Sequence, residues 1–447
     1  MTEDRRRGQR LVAFLQSAEC PFVLYAVIIA LQYALISTTR NDDVWFAGVF
    51  GGSQPTFAAW WGFLGDRWNT WSSRLGIEGL LILLVQVPVL WRILTAAIQL
   101  AVYRMLMDLS GCPKSSRISW VIFAVCFIYP LPILYEAGAI ATTLNYLWPF
   151  AAGLFAVAPV IRRFFGRKTG MARCLASIPF LIFACFQEIL CALLCIVFLA
   201  ALLWQWFAER SISVYAGGCL AVCVAMVVLI LVCPGNAART AQETATWLPA
   251  YAEVTGLFAK LELGFSSMAK YLFLSFNPFV SLFCLALALS VQFGDNKILH
   301  HLIGWVPFVF TTVFGLVGER TGSLFGAVAW LRASVGELGT GFSVKAPLTM
   351  LPDLLFALVL ACILLALHFV IRDPKRYWFC FFLLALGAAS RMALGFSPTV
   401  WASGERTCTF LYICMSVVLG MLLARLTDRT AAAAPDMPDT ETSGGAA

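Results

Sequence analysis

Two adjacent carboxylates stand where a long apolar stretch ends, in the run Thr39–Arg40–Asn41–Asp42–Asp43–Val44–Trp45. Charge this close to hydrocarbon is costly, so an ionisable pair at the end of a membrane span indicates a functional site. Such a carboxylate can act as a general base on an acceptor hydroxyl. Two together can hold Mg²⁺ or Mn²⁺ through oxygen ligands. The alternative is a solvated helix end, and the need for a metal stays open.

Arginines and other polar side chains recur beside further apolar runs. The planar guanidinium fork recognises phosphate. The candidate phosphate-binding residues are Arg74, Arg239, Arg320, Arg391 and Arg406. Aromatic, amide and acidic side chains suit sugar rings and their hydroxyl groups. The candidate cavity residues are Trp68, Asn69, Glu78, Glu136, Asn145, Tyr146, Trp148, Glu188, Asn236, Glu319 and Glu405. Ion pairing is the alternative for Glu319–Arg320 and Glu405–Arg406, and a polar join between two helix ends is the alternative for Gln187–Glu188.

The composition indicates what elements must position these residues. Hydrophobic residues make up 61% of the 447 positions and charged residues only 12%, whereas soluble domains are about 45–50% apolar. The sequence therefore predicts an all-α fold, a polytopic bundle of membrane-spanning helices in the inner (cytoplasmic) membrane. The net charge of +7 does not indicate nucleic acid, because the basic residues cluster in short loops as topology determinants do.

About twelve spans are expected, with both termini in the cytoplasm. We expect residues 1–430 to form one polytopic domain, whose outer loop 38–74 carries the acidic pair, and residues 431–447 to be a disordered cytoplasmic tail. The basic segment Met1–Arg10 is interpreted as the start of a retained anchor. The spans are expected near residues 21–37, 75–109, 118–134, 147–161, 174–187, 189–207, 213–232, 271–292, 298–316, 350–371, 377–394 and 406–424.

The segment 75–109 decides the topology. It is long enough for two short spans or for one stretch broken at Pro88. A single net crossing places the basic clusters 114–117, 162–173 and 372–376 in the cytoplasm, as the positive-inside rule requires. The same choice places the acidic pair and the other polar candidates outside, and so predicts a polar cavity that opens outward.

Other residue types exclude other kinds of site. The Trp-rich stretch 60–71 is typical of an interfacial segment or of a simple aromatic belt. The 15 cysteines lie mostly within apolar spans with no histidine nearby, which favours small buried side chains over a metal site. The histidines, His300, His301 and His368, are expected near the cytoplasmic side, which is evidence against a membrane O-acyltransferase with an outward-facing site.

Several short motifs carry a resemblance. Asp42–Asp43 after the first span, followed by Trp68–Asn69–Thr70–Trp71–Ser72–Ser73–Arg74, resembles the start of membrane glycosyltransferases of the GT-C superfamily. Asn145–Tyr146–Leu147–Trp148–Pro149 and Pro234–Gly235–Asn236–Ala237–Ala238–Arg239 resemble more specifically a bacterial polytopic membrane family of that shape, whose members have no assigned function. The resemblance spans most of the chain.

The resemblance implies a GT-C-like fold and an inverting transfer of a sugar from a polyprenyl-phosphate carrier to a cell-envelope acceptor. It implies an aspartate of the first outer loop as base, which is Asp42 as first choice and Asp43 as second. The implied partners are a polyprenyl-phosphate sugar donor, a glycan or lipid acceptor, and membrane lipids. The chain departs from the superfamily in lacking a large outer or C-terminal domain, which leaves the acceptor open.

Two other function classes remain as alternatives. A transporter or flippase of lipid-linked polysaccharide intermediates would carry polar residues through the middle of several spans, whereas the charges here gather at one mouth. A polysaccharide polymerase or ligase would share the donor chemistry, so the sequence does not separate it from a transferase.

Overall fold

A computed structural model describes residues 3–295, 297–320, 326–343 and 345–433. These residues form α-helices joined by short 3₁₀ and π turns, and no strand occurs among them. The helices are α1 (Glu3–Leu15), α2 (Glu19–Leu35), α3 (Asp42–Gly48), α4 (Phe57–Thr70), α5 (Leu75–Leu84), α6 (Pro88–Leu109), α7 (Ser116–Ile128), α8 (Ala139–Thr142), α9 (Trp148–Phe164), α10 (Met171–Ala176), α11 (Ile178–Cys185), α12 (Glu188–Trp204), α13 (Val214–Val232), α14 (Pro234–Trp247), α15 (Leu257–Ala269), α16 (Pro278–Gln292), α17 (Ile298–Arg320), α18 (Gly326–Ala333), α19 (Leu351–Val370), α20 (Pro374–Met392) and α21 (Thr409–Ala433).

Eight of the described helices are long and apolar enough to cross a membrane. Two bent helix pairs, one ending in α2 and one built from α15 and α16, raise that number to ten if each is one span. The predicted multi-pass helical membrane protein is confirmed at this level. Three apolar helices are shorter, Leu75–Leu84, Ser116–Ile128 and Met171–Cys185. The last two fall where the sequence predicts the remaining two of about twelve spans.

The region around Pro88 is broken as its sequence indicates. α5 ends at Leu84, and α6 begins with Pro88 in its first turn, where proline's missing N–H is not needed. Residues 38–74, which were predicted to form an outer loop, are not an extended loop, because the helices α3 and α4 lie within them. The acidic pair therefore lies on a short helix of its own.

Apolar packing joins these helices in three large clusters, the third of which unites α9, α11, α12 and α13. Tyr33, Trp91 and Tyr103 are buried in the first, which unites α2, α5, α6 and α8. Phe283 and Tyr412 are buried in the second, which unites α15 to α21. The junction between the first two clusters is where polar residues of the N-terminal and C-terminal halves meet.

Polar residues collect at the two opposite ends of the long helices. At one end Asp108 accepts ion pairs from Arg162 (3.0 Å) and Arg173 (3.2 Å), and Arg163 pairs with Glu209 (2.7 Å). These are the basic residues predicted to be cytoplasmic. Glu188 starts the helical run that ends at Glu209, and a run of that length is about 30 Å long. The candidate site residues described below lie at the Glu188 end.

The C-terminal part of the chain is described only in part. α21 continues to Ala433, so the first residues of the predicted tail are helical, and residues 434–447 lie outside the described part. Glu319 and Arg320 are the last two residues of α17. The structure describes their backbone but not their side chains.

Candidate functional site

The acidic pair divides between the protein interior and the surface. Asp43 is fully buried, and its carboxylate oxygens accept the backbone N–H groups of Ile140 (3.1 Å) and Ala141 (2.8 Å). Those amides belong to the first turn of α8, where backbone N–H groups have no partner within the helix. Asp43 therefore satisfies the start of the helical segment that runs on into α9.

Gly138 makes room for this carboxylate. Its φ is +116°, and a Cβ atom at this position would lie 2.7 Å from the Asp43 carboxyl carbon. Glycine alone tolerates both the backbone angle and the close approach. Burial raises the pKa of Asp43 to about 6, and the backbone N–H groups of Ala141 and its neighbours lower it by less.

Asp42 is exposed, although its backbone is held firmly. Its N–H donates to the carbonyl of Ala137 (2.9 Å), and the Asn41 side-chain amide donates to the carbonyl of Glu136 (2.8 Å). Partial burial raises the pKa of the Asp42 carboxyl, and the nearby charge of Arg406 lowers it by less. Asp42 is therefore an accessible carboxylate in a fixed position beside a guanidinium.

Arg406 brings a distant part of the chain to this mouth. Its backbone N–H donates to Glu136 Oε2 (3.0 Å). Burial raises the pKa of Glu136 and of Glu243, and in both cases the charge of Arg406 lowers it. Three carboxylates from separate elements, those of Asp42, Glu136 and Glu243, thus lie within electrostatic reach of one guanidinium. None of the described residues forms an ion pair with it at contact distance.

A second group of charges lies where α5, α12 and α14 begin. Glu188 Oε2 accepts Arg74 Nη2 (2.8 Å) and Arg239 Nη2 (3.4 Å). Arg74 also donates to Asn145 Oδ1 (3.3 Å), and Arg239 Nε lies 3.8 Å from Glu243. We call Arg74, Glu188 and Arg239 the paired cluster, because the carboxylate of Glu188 forms ion pairs with both guanidiniums.

Close backbone packing builds the paired cluster. Asn236 accepts the Ser73 backbone N–H (3.3 Å) and donates to the Ser73 hydroxyl (3.2 Å), which in turn donates to Glu188 Oε1 (3.2 Å). A Cβ atom on Gly235 would lie 2.5 Å from the backbone nitrogen of Trp71. Glycine at the start of α14 is therefore needed for this approach.

Several predicted cavity residues have structural partners instead. Glu78 is buried and receives hydrogen bonds from Arg67, one of them at 3.1 Å. Trp148 donates to Thr95 (3.1 Å) within the core, and the exposed Asn69 donates to the carbonyl of Gly65 in its own helix (2.8 Å). Glu78 still lies within electrostatic reach of Arg74 of the paired cluster, whereas Asn69 and Trp148 are engaged in their own helix and in the core.

Two aromatic residues of the prediction lie nearer the charges. The Tyr146 ring packs against Phe410 at 5.9 Å between centroids and lies within electrostatic reach of Arg74. Trp68 lines an apolar groove of about 430 Å³ with other aromatic and aliphatic residues of this end of the molecule. The lining residues are Trp60, Trp61, Leu64, Gly65, Trp68, Leu75, Gly76, Gly79, Leu80 and Phe186.

Glu405 is held in the interior of the C-terminal half. One of its oxygens accepts Tyr412 Oη (2.7 Å) and the Asn277 side-chain amide. Asn277 also caps α16 by accepting the N–H groups of Phe279 and Val280. Glu405 thus helps to fix the start of α16, and no described residue forms an ion pair with it, which was the alternative expected for Glu405–Arg406.

Arg391 was predicted to bind phosphate, but its aromatic neighbour Tyr271 was not predicted. Arg391 is fully buried, and its guanidinium lies 4.8 Å from the ring of Tyr271. Lys270 Nζ lies 4.6 Å from the ring of Trp401, and Arg332 lies within electrostatic reach of Lys270. We call Lys270, Arg332 and Arg391 the unpaired cluster, because none of the described carboxylates forms an ion pair with them. A lysine at the edge of an apolar run was the signal that could have found it.

A bridge between two acids was missed as well. The Thr340 hydroxyl lies 2.7 Å from Glu262 Oε1 and 2.5 Å from Asp353 Oδ2. Thr340 N–H and Ser266 Oγ donate to the same glutamate oxygen (2.7 Å and 2.8 Å). These bonds tie α15 to the segment before α19 and to the first turn of α19.

The acidic pair does not fit a shared Mg²⁺ or Mn²⁺. Asp43 is enclosed with both oxygens on backbone amides, whereas Asp42 is exposed. Among the described residues, no group of three or more histidine, cysteine, aspartate or glutamate side chains could hold a metal. The arrangement offers one free carboxylate, not a metal cage.

The chain matches no protein-family model, no curated protein and no solved structure. The candidate site therefore has to be interpreted from its own geometry.

Proposed function

We propose that the chain is an inverting glycosyltransferase of the GT-C type, which moves a sugar from a polyprenyl-phosphate donor to a cell-envelope glycan or lipid at the extracytoplasmic face. The observation that supports this best is Asp42: an exposed carboxylate with a raised pKa, fixed by backbone bonds at the end of the first apolar helix and next to Arg406. A general base requires that combination of access, position and tuned pKa.

The proposed topology has about twelve spans and both termini in the cytoplasm. Two of the three shorter apolar helices, Ser116–Ile128 and Met171–Cys185, complete the ten longer candidates, and Leu75–Leu84 makes no separate crossing in this proposal. Helices of 13 to 15 residues reach about 20 Å, and a locally thinned bilayer accommodates such lengths. This arrangement places Asp42, Arg406 and the paired cluster outside, and Asp108 with its arginines inside.

In the proposed reaction Asp42 removes the proton from the acceptor hydroxyl as its oxygen attacks the anomeric carbon of the donor sugar. A bond forms from the acceptor oxygen to that carbon, and the bond from the carbon to the phosphate oxygen breaks. The polyprenyl phosphate leaves with the bonding electrons, and the proton stays on Asp42. The positive charge of Arg406 is close enough to favour the ionised form of Asp42 and to stabilise the leaving phosphate.

Asp43 has a different role in this proposal. Its carboxylate caps α8 and fixes the backbone beneath Asp42, so it positions the base and does not touch the acceptor. Glu136 and Glu243 help to hold Arg406 at the same mouth.

Asp42→Asn tests the assignment, because asparagine keeps the size of the side chain but accepts no proton. With labelled polyprenyl-phosphate sugars and the purified protein, the release of carrier is expected to fall about 10²–10⁴-fold, and donor binding is expected to persist. Asp66→Asn, at an exposed position of α4, is the matched control and should leave the rate unchanged. A folded Asp42→Asn protein that transfers sugar at the parent rate would remove Asp42 as the base.

A further inference from the structure

The contact between Thr340 and two acids has more acceptors than protons. The Thr340 hydroxyl oxygen lies 2.7 Å from Glu262 Oε1 and 2.5 Å from Asp353 Oδ2, and both distances are those of full O–H···O hydrogen bonds. A hydroxyl group carries one proton, so Thr340 can donate to only one of the two carboxyl groups. The second hydrogen bond therefore needs a proton that one of the acids supplies.

The surroundings of the two acids place this proton on Asp353. Glu262 Oε1 also accepts the Thr340 N–H (2.7 Å) and the Ser266 hydroxyl (2.8 Å), as an ionised carboxylate does. Asp353 is buried, and its Oδ1 has no hydrogen-bond partner, so an ionised Asp353 would leave one charged oxygen unsatisfied. The neutral acid instead donates through Oδ2 to Thr340, and Thr340 donates to Glu262.

The charges around Asp353 do not include a cation that could replace the proton. Among the described residues, Glu262 is the one charged group within electrostatic reach of Asp353, and two negative charges repel each other. The other charged or titratable side chains on the elements packed against α19 are Lys260 in α15, Cys284 in α16, His300 and His301 in α17, Lys375, Arg376 and Arg391 in α20, and Glu337 and Lys345 in the connection before α19.

These groups are directed elsewhere. His300 stacks on Phe369, at the far end of α19, and the two basic residues that begin α20 lie at that same end. Lys260 lies near the ring of Tyr251, and Arg391 lies near the ring of Tyr271. The two charged residues of the connection are exposed, and the side chains of Glu319 and Arg320 lie outside the described part of the chain.

The proton holds a tight turn of the chain. In the turn 336–340, Gly336 and Gly339 exchange backbone hydrogen bonds of 2.9 and 3.3 Å. The turn is attached on one side through the Glu337 carbonyl, which accepts the indole N–H of Trp401 (2.7 Å). On the other side it is attached through Thr340 and the two acids, so the shared proton completes one of its two polar attachments.

We propose that Glu262, Thr340 and Asp353 form a pH switch, in which one shared proton holds the turn 336–340 against α15 and its loss releases the turn. When the proton passes to bulk water, two carboxylates remain around one hydroxyl group, which can donate to only one of them. The attached state therefore binds the proton more tightly than the released state. The attachment is complete at low pH and is lost as the pH rises.

The switch responds to the external pH in the proposed topology. Asp353 lies in the first turn of α19, and the other end of this helix precedes the basic cluster 372–376, which is predicted to be cytoplasmic. The turn 336–340 contacts Trp401, whose segment continues to Arg406, so its release also loosens the chain that carries Arg406. Only this last consequence rests on the proposed function, through the role of Arg406 beside Asp42.

Hydrogen exchange of the full-length protein in detergent, measured by mass spectrometry, tests the switch. The protection of the turn 336–340 is expressed relative to the intrinsic exchange rate at each pH. In the parent it is expected to be about tenfold or more higher at about pH 5 than at about pH 8, because release of one proton changes the equilibrium by up to tenfold per pH unit. The segment 397–406 should lose protection together with the turn.

Two variants remove the titration in different ways. Asp353→Asn keeps a neutral donor beside Thr340 at every pH, so the turn should stay protected without a pH dependence. Glu262→Gln removes the second charge, so Thr340 can donate to an ionised Asp353, and the pH dependence should again be lost. Glu337→Gln changes an exposed acid of the turn itself. It is the matched control and should keep the pH profile of the parent.

A flat profile in the parent, or the same pH dependence in the parent and in both variants, would overturn the switch. A parent profile that becomes flat when Na⁺ or Ca²⁺ is added at constant ionic strength would show that a metal cation holds the acids together, and would also overturn it. Constant protection of 397–406 while the turn is released would remove the link to Arg406. Asp42→Asn separates the switch from the proposed function, because it should abolish transfer and leave the exchange profile unchanged.

Discussion

The paired and unpaired clusters both contain buried or partly buried cations, but only in the paired cluster does a carboxylate of the chain form ion pairs with them. In the paired cluster one carboxylate, Glu188, lies within 3.4 Å of two guanidiniums, and its side chain is 18% exposed. In the unpaired cluster the guanidinium of Arg391 is fully buried with two unused nitrogens. A cation that is paired with a carboxylate of the chain stabilises the fold, whereas a buried cation without such a partner costs free energy.

The largest expected effect comes from removing the carboxylate of the paired cluster. Glu188→Gln removes the ion-pair partner of Arg74 and leaves Arg239 with only the more distant Glu243 (3.8 Å), and both guanidiniums are largely buried. The free energy of unfolding is expected to fall by about 3 kcal/mol or more, measured as a lower midpoint of thermal unfolding in detergent. Glu253→Gln, at an exposed carboxylate, should change nothing. An unchanged midpoint in Glu188→Gln would break the comparison, because the cluster would then not support the fold.

The buried charge of Asp43 has no cation as partner and is stabilised by backbone N–H groups. Its pKa is about 6 in the folded protein and about 3.9 when unfolded, so the folded state binds the proton more tightly. Protonation of Asp43 therefore favours the folded state. This contribution to the free energy of unfolding is complete below about pH 4 and is lost as the pH rises to about 6.

The expected loss is roughly 3 kcal/mol for a shift of about two units. Unfolding of the parent and of Asp43→Asn, compared over this pH range, should show the parent losing stability relative to the variant. Parallel pH profiles would contradict the raised pKa of Asp43.

Replacing Arg391, the buried cation without a carboxylate partner, should raise the free energy of unfolding, whereas Glu188→Gln should lower it. Arg391→Met removes a buried cation and keeps a long apolar stem, so without phosphate the variant is expected to be more stable than the parent by about 1–3 kcal/mol. A destabilised Arg391→Met protein would place Arg391 with the fold-supporting arginines and weaken the contrast between the clusters.

The smallest effect is expected where an ion pair faces the surroundings. Arg104 and Glu19 form a pair with side chains 41% and 53% exposed, and pairs so exposed contribute about 0–1 kcal/mol. Glu19→Gln should therefore leave the unfolding midpoint almost unchanged and be insensitive to salt. A loss as large as that of Glu188→Gln would show that burial does not separate the two kinds of pair.

Part of this molecule could be predicted from residue order. The apolar runs specify the helices, since only a helix satisfies its own backbone bonds in hydrocarbon, and Pro88 marks the break between α5 and α6. The positions of arginine and acid at the run ends indicated which side chains gather at one end of the bundle. Asp42 and Glu188 were found in this way.

Tertiary structure alone decided what those side chains do. Asp42 and Asp43 are adjacent in sequence, yet helix packing places one at the mouth and the other beneath α8, nearly a hundred residues further along the chain. Arg74 and Arg391 look alike in sequence, and only the approach of Glu188 to one of them makes it structural. Arg391 meets Tyr271, and Lys270 meets Trp401, only through contacts between residues more than a hundred positions apart. Charge is compensated across helix contacts, and the spacing of residues along the chain carries no record of which contacts form.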